Sequence, residues 1–385
     1  MTHASQTGRS GDTLEVADIL KKCRPLIHPR PAEAKVVRAI INCRTDILGG
    51  HVRECQDCRK REQSYNSCRN RHCPKCQFTR KEEWIEKRIE ELLPVEYFHV
   101  VFTVPHELNQ ITLQNKNVLY NILFKAANET LKTVALRKLD MEIGFIAVLH
   151  TWGQTLMPHP HLHIIVPGGG LRKDKWKSCK PGYFLPVNIL STVFRGKFLS
   201  YLEKAHEELE FEGATSHLCE ERHFKKVLVA CSQKPWIVYV KKSFKGPEQV
   251  VSYLGGYTHR IAISNHRLIK YENNEVHFHY RDYADGNKNK VMALRDVEFA
   301  NRFLSHVLPH KFARIRHFGI LGNRHKTEKL SLCRELLQEP QPKKKAEPKT
   351  WEERLKDLTG IDVTKCPNCG GLMRKKILPI KLDTS

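Results

Sequence analysis

Residues 157–166 read MPHPHLHIIV, with His159, His161 and His163 at alternate positions leading into an apolar run. Side chains two apart share one face of a strand, so the imidazoles point together while Leu162 and Ile164 point to a core. Pro160 has no N–H for a ladder, which makes His161 and His163 the firmer same-face pair. Two imidazoles on one rigid strand supply much of a divalent-metal site.

Working outward, Gly144–Leu156 (GFIAVLHTWGQTL) is a second strand, close enough in sequence to pair with the first as a hairpin. Val95–Val104 (VEYFHVVFTV) and Trp236–Val240 (WIVYV) are aromatic and β-branched, as buried strands are, and Arg260–Tyr280 reads as a hairpin turning near YENNEV. Helical spacing marks Glu82–Leu93, Ile111–Arg137, Asn188–Leu209 and a short apolar patch, LEVADILKKC. The elements alternate without a regular βα rhythm or a Gly-rich phosphate loop. An α+β domain over an antiparallel sheet fits that order better than a doubly wound one.

Charge narrows the partner. The 385 residues carry 65 Lys+Arg against 42 Asp+Glu, a net +23, which points to a polyanion and above all to nucleic acid. No apolar run approaches the ~18 residues of a membrane span, so a membrane partner is not expected. The first residues, MTHASQTGRSGDTLEV, lack the apolar core of a secretory signal, so the expected location is a reducing cytoplasm, on the nucleoid of a bacterium. There, 13 cysteines read as metal ligands or buried thiols.

Cys55-x2-Cys58 and Cys73-x2-Cys76 are two thiolate turns that together would complete one tetrahedral structural Zn2+ site. Cys43, His51, Cys68 and His72 have the chemistry for a second set interleaved with the first. Arg69, Arg71 and Lys75, among other cations, suggest that this module touches phosphate. Cys366 and Cys369 make half a site, to be completed by another segment, by another subunit, or not at all; a DNA contact or a homodimer contact is the expected use of this tail.

VVSYLGGYTHR places Tyr253 and Tyr257 four residues apart, one helical turn, with Gly255 and Gly256 between them. Each glycine costs a helix ~1 kcal/mol relative to Ala, and low stiffness suits a nucleophile that must swing. Two tyrosines at this spacing also suit plain core packing. Beside a metal that polarises phosphate, a tyrosine hydroxyl can attack phosphorus, leaving a 5′-phosphotyrosine and a free 3′-OH.

The strand HLHIIVPGGG, the later YLGGYTHRIAISNHRL, and CRTDILGGHVRECQDC…YNSCRNRHCPKCQ near the start together resemble the two-tyrosine HUH transposases of rolling-circle insertion sequences, the IS91-type family. The resemblance spans roughly residues 35–325. It implies a small N-terminal zinc-binding module followed by an HUH catalytic domain, with a ferredoxin-like five-stranded antiparallel sheet, flanking helices, and the metal-binding histidines on central strands. It implies Tyr253 and Tyr257 as nucleophiles, His161 and His163 as ligands of a catalytic Mg2+ or Mn2+, and a further ligand near the tyrosines, Gln249 before His259. His159 lies just outside the motif. The implied partners are single-stranded DNA at insertion-sequence ends and target DNA, with Arg260 and Arg267 joining the basic residues above as DNA contacts.

The domain boundaries that follow are 1–34 (basic, helical), 35–93 (zinc-binding), 94–335 (catalytic), 336–350 (Pro/Lys-rich linker) and 351–385 (CxxC tail). Three other readings use some of the same residues. They are an HUH replication initiator or relaxase, a non-catalytic zinc protein that binds DNA, and a histidine-triad nucleotide hydrolase built on HPHLHII.

Overall fold

A computed structural model describes residues 13–242, 249, 255–256, 261–340 and 350–380. The chain begins with α1 (Val16–Cys23), α2 (Pro31–Ile41), the hairpin β1 (Gly50–Cys55) and β2 (Arg61–Tyr65), and α3 (Gln77–Ile89). Next come β3 (Tyr97–Thr103), α4 (Asn109–Gln114), α5 (Lys116–Leu139), β4 (Gly144–Trp152), β5 (Pro158–Pro167) and the ribbon β6 (Gly169–Arg172) with β7 (Lys175–Ser178). They are followed by α6 (Val187–Lys204), α7 (Glu221–Ser232) and β8 (Val238–Lys242). The rest is β9 (Leu268–Glu272), β10 (Glu275–Asp282), β11 (Lys288–Arg295), α8 (Asp296–Ser305), β12 (Ile315–Gly319), α9 (Lys326–Leu336), α10 (Trp351–Thr359) and β13 (Met373–Leu378).

The main sheet has the order β12-β4-β5-β3-β8 and is antiparallel throughout. Within it β3, α5, β4, β5, α6 and β8 form a β-α-β-β-α-β unit, the ferredoxin-like arrangement, with β12 added beside β4. The period-2 alternation sets its two faces. Phe98, Val100 and Phe102 of β3, Phe145, Ala147 and Leu149 of β4, and Leu162, Ile164 and Val166 of β5 pack with α5, α6 and α7 in one apolar core. The alternate positions look the other way: His99, His150, His161 and His163 at one end, Tyr97, Ile146 and Ile165 at the other. Around that second end Trp84 of α3 and Leu330 and Cys333 of α9 close over the sheet, so helices cover both faces there.

The helix expected over 111–137 is interrupted. Asn115 separates α4 from α5, its side-chain amide donating to the Ile111 and Glu210 carbonyls (3.1 and 2.7 Å) while its carbonyl oxygen accepts from the Glu210 N–H (2.7 Å). That tie to a distant loop holds a local conformation a continuous helix would not allow. The turn near YENNEV is present, with Asn273 and Asn274 both at positive φ (50° and 60°), as a tight two-residue hairpin requires. A third strand, β11, escapes notice in sequence because KNKVMALR is half polar; it pairs with β10 over eight residues, from Glu275↔Arg295 to Asp282↔Lys288.

The β9–β10–β11 sheet and α8 share a second core with α1 and α2, including Ile19, Leu20, Ile40, Phe278 and Phe299. β13 returns to pair with β1, giving a sheet of order β13-β1-β2. Most of the Pro/Lys-rich stretch, 341–349, lies outside the described residues. No helix among the described residues is long and apolar enough to cross a membrane.

His306, at the end of α8, links this second core to the main sheet through Thr151 Oγ1 (3.3 Å) and the Leu156 carbonyl (2.9 Å). Burial pushes its pKa down to about 4, from 6.5. A histidine whose folded pKa lies below its unfolded value costs nothing above pH 6.5. As pH falls towards 4 the unfolded chain takes up a proton the folded one refuses, a loss of roughly 3 kcal/mol from this residue. The unfolding midpoint should therefore drop as pH is lowered from 6.5 to 4, and His306→Gln should flatten that slope in thermal unfolding by circular dichroism.

Candidate active site and cysteine centres

His161 and His163 project from β5 on the sheet face opposite the helical core, and His150 stands directly across from His161 on β4. The ligand-capable nitrogens of all three lie within 4.8 Å of one another, and all three side chains are buried. His161 Nδ1 lies 2.6 Å from the His159 carbonyl, which can only accept, so that nitrogen carries the proton and Nε2 keeps its lone pair. His163 Nδ1 lies 2.9 Å from His99 Nε2 on β3, and the two rings stack with centroids 5.1 Å apart. His99 thus fixes His163 much as outer-shell partners orient metal-binding imidazoles. His150 is held by stacking on Trp152 at 4.9 Å.

The consequence lies between the two Nε2 atoms, 3.1 Å apart. In the tautomer in which His163 Nδ1 donates to His99 Nε2, two lone pairs face each other at that distance. A divalent cation relieves this, since donors ~2.1 Å from one ion and 3.1 Å apart subtend roughly 95° there. Burial pushes His161 down to about 3, and burial followed by the Lys241 charge pushes His99 down to about 4, so both rings are neutral near pH 7. The three imidazoles open into a cavity of about 600 Å3 whose wall includes Pro74, Lys81, Trp152, His159, Gly256 and Arg267. Pro74 and Lys81 come from the cysteine-rich segment and α3, so the N-terminal module walls one side of the site.

Eight of the 13 cysteines form two sets of four: Cys43, Cys68, Cys73 and Cys76, and Cys55, Cys58, Cys366 and Cys369. Cys43–Cys76 and Cys68–Cys76 sulfur separations are 3.4 and 3.6 Å, and Cys55–Cys369 and Cys58–Cys366 are 3.4 and 3.6 Å. Four thiolates ~2.3 Å from one ion sit roughly 3.8 Å apart, so both sets fit a tetrahedral Zn2+. Backbone N–H groups of Cys68, Asn70 and Asn368 point at ligand sulfurs (3.4–3.5 Å), which stabilises thiolate.

This corrects the grouping read from spacing. Cys55/Cys58 do not share an ion with Cys73/Cys76; pairing of β13 with β1 brings Cys366/Cys369 to the first turn, while Cys43 and Cys68 face the second. His51 and His72 are in neither set. His51 Nε2 is buried without a hydrogen-bond partner among the described residues. His72 lies near Arg71, Arg314 and Lys116, and burial followed by those charges pushes it down to about 3.

Two family models match: "Transposase zinc-binding domain" over residues 15–104 and "Putative transposase" over residues 144–329. The chain is 47% identical over 374 residues to "Putative transposase y4qJ" of Sinorhizobium fredii, covering 94% of each chain. It is 27% identical over 355 residues to the "Transposase for insertion sequence element IS801" of Pseudomonas savastanoi pv. phaseolicola, covering 89% of this chain and 83% of that one. The chain belongs to the IS91 family of transposases. No solved structure matches it.

A transposase of this family is a DNA-cleaving enzyme with structural zinc and DNA as its partner, and the placement of its cations bears on how it meets that DNA. Arg69 is exposed. Arg71 instead donates to the Phe312 and Pro309 carbonyls (2.7 and 3.1 Å), Lys75 pairs with Glu15 (2.7 Å), and Arg267 donates to the Gln154 and His279 carbonyls (2.6 and 2.8 Å). Arg267 thus braces the wall of the cavity, while Arg71 and Lys75 tie the cysteine-rich segment to its neighbours. Tyr253, Tyr257, His259 and Arg260 lie outside the described residues; Gln249 is helical and exposed.

Gly255 has a more definite reason than softness. A Cβ there would come within 2.3 Å of Ile85 Cγ1 on α3, so only a glycine lets the segment lie this close. Sequence reasoning missed His150 and His99, because a single imidazole inside an apolar strand does not show which strands will flank it. Metal analysis of the purified transposase should give two zincs per chain, falling to one in Cys369→Ser and also in Cys76→Ser.

Proposed function

We propose that this transposase cuts and rejoins single strands at the ends of its insertion sequence through tyrosine–DNA intermediates, in the rolling-circle manner. The observation that carries the reading is the convergence of His161 Nε2 and His163 Nε2, 3.1 Å apart, with His150 beside them, at the floor of a cavity large enough for a nucleotide. Gly256, next in sequence to Tyr257, lines the same cavity, which supports that tyrosine segment as the source of the nucleophile.

When bound, a Mg2+ or Mn2+ would polarise a non-bridging phosphate oxygen and stabilise the charge that develops at phosphorus. His150, His161 and His163 would hold it, His99 and the His159 carbonyl keeping the two β5 imidazoles aimed. The hydroxyl oxygen of Tyr253 or Tyr257 attacks phosphorus and its proton passes to solvent. The bond from phosphorus to O3′ breaks, and O3′ takes up a proton to become a free 3′-OH. The 5′-phosphate stays on the tyrosine, so the phosphodiester energy is conserved and a later 3′-OH can reverse the step without ATP. A second tyrosine lets a second strand be held in the same cycle. Tyr283, at the rim and 65% exposed, offers a ring on which an unpaired base can stack.

Labelled single-stranded element-end DNA with purified protein and Mn2+ should give a covalent adduct on a denaturing gel. Tyr253→Phe with Tyr257→Phe should abolish it, and EDTA should do the same. An adduct that survives the double substitution would refute tyrosine attack. His150→Ala should weaken Mn2+ binding, read directly by titration, by 10-fold or more; unchanged affinity would remove His150 from the ligand set.

A further inference from the structure

The sheet β13-β1-β2 has two unlike faces. Arg53 of β1 and Lys375 of β13, directly opposite one another, both lie over the Trp351 ring of α10 (5.1 and 5.8 Å), so that helix covers one face. α10 is itself anchored on α3 through Arg354 and Glu86 (3.3 Å). The other face carries Val52, Glu54, Arg61, Gln63, Arg374 and Lys376, by the same registers.

That second face is strongly cationic. Arg61, Lys376 and, from the adjoining turn, Arg59 are 68–77% exposed and share one carboxylate, Glu54, at 3.2, 3.9 and 3.7 Å. Arg374 stands directly opposite Glu54 and is exposed. Four cations against one carboxylate leave a net +3. The cations come from both ends of the chain: Arg59 and Arg61 from the first zinc turn, Arg374 and Lys376 from the strand after Cys366 and Cys369.

We propose that this face is a docking surface for the phosphate backbone of duplex DNA, and that it exists only while the Cys55/Cys58/Cys366/Cys369 zinc centre clasps the tail to the N-terminal module. Charge complementarity selects a polyanion. Among polyanions, unpaired strands are gripped by stacking platforms, and this face offers one aromatic, Tyr65, at its end; it presents charge and no ring array, which suits the backbone of a duplex. The surface is distinct from the histidine cavity, none of whose lining residues it shares.

The test uses the full-length protein and a labelled blunt-ended DNA duplex, with affinity measured across a potassium chloride series. Arg61→Gln/Arg374→Gln/Lys376→Gln should weaken binding and lower the slope of log affinity against log salt by about 2.7, at ~0.9 per phosphate contact. The same variant should keep two zincs and still form an adduct with a short single-stranded oligonucleotide. Cys366→Ser/Cys369→Ser should lose one zinc and show the same loss of duplex affinity.

Wild-type duplex affinity and slope in the triple variant would overturn the proposal. So would an equal loss on the short single strand, which would make the occupant an unpaired strand. Full duplex affinity after loss of the second zinc would overturn the clasp. A wild-type protein that forms no adduct bears on the tyrosine chemistry alone, because the duplex titration still reads the docking surface.

Discussion

Burying imidazoles side by side on one face of a sheet is the constraint on which the rest depends. Strand β5 must commit alternate residues to two environments, an apolar layer under α5–α7 and a polar end on the other face. Histidines survive there only if desolvated neutral rings find partners for both nitrogens. The His159 carbonyl and His99 satisfy the Nδ1 atoms of His161 and His163 and leave the Nε2 atoms facing each other across 3.1 Å. The sheet is therefore stable because of its helical face and chemically useful because of the other. The same residues could not serve both ends, and Trp84 of α3 with α9 packs apolar side chains on the sheet where Tyr97, Ile146 and Ile165 replace the histidines.

The cysteine centres solve a different problem. The segment from Cys43 to Cys76 has few apolar residues of its own, β1 is half-buried along most of its length and β2 is largely exposed, so the segment could not hold shape by burial alone. Metal–thiolate bonds substitute for a core, and a zinc centre contributes folding free energy directly. One consequence is architectural: Cys73 and Cys43 sit in the second hydrophobic core as well as in the first cysteine set, so that centre ties α1, α2 and α8 to the wall of the histidine cavity. The other set joins sequence positions more than 300 apart, and Gly371 must be a glycine for it, since a Cβ there would strike Asp57 and approach Cys55 Sγ at 3.2 Å.

Cation placement follows from the same economy of burial. Arg71, Lys75 and Arg267 look in sequence like phosphate contacts, yet each spends its donors on backbone carbonyls or a carboxylate inside the protein. Arginine suits this because its fork can bind two carbonyls from separate loops at once. A large positive charge thus divides into cations that tie segments together and cations that face solvent, and only contacts distinguish them.

The sequence by itself determined whatever is local. The period-2 pattern of HLHIIV put His161 and His163 on one face. The aromatic runs marked β3 and β8, the paired asparagines marked the β9–β10 turn, and each CxxC marked a thiolate turn. The tertiary structure decided what depends on register between distant segments. His150 and His99 join the site because β4 and β3 flank β5 at particular registers, and one histidine in one strand carries no sign of that. A CxxC turn commits two of four ligands and is silent about the other two. Strand pairing of β13 with β1 chose them, because backbone hydrogen bonds over six residues fix which sulfurs can meet.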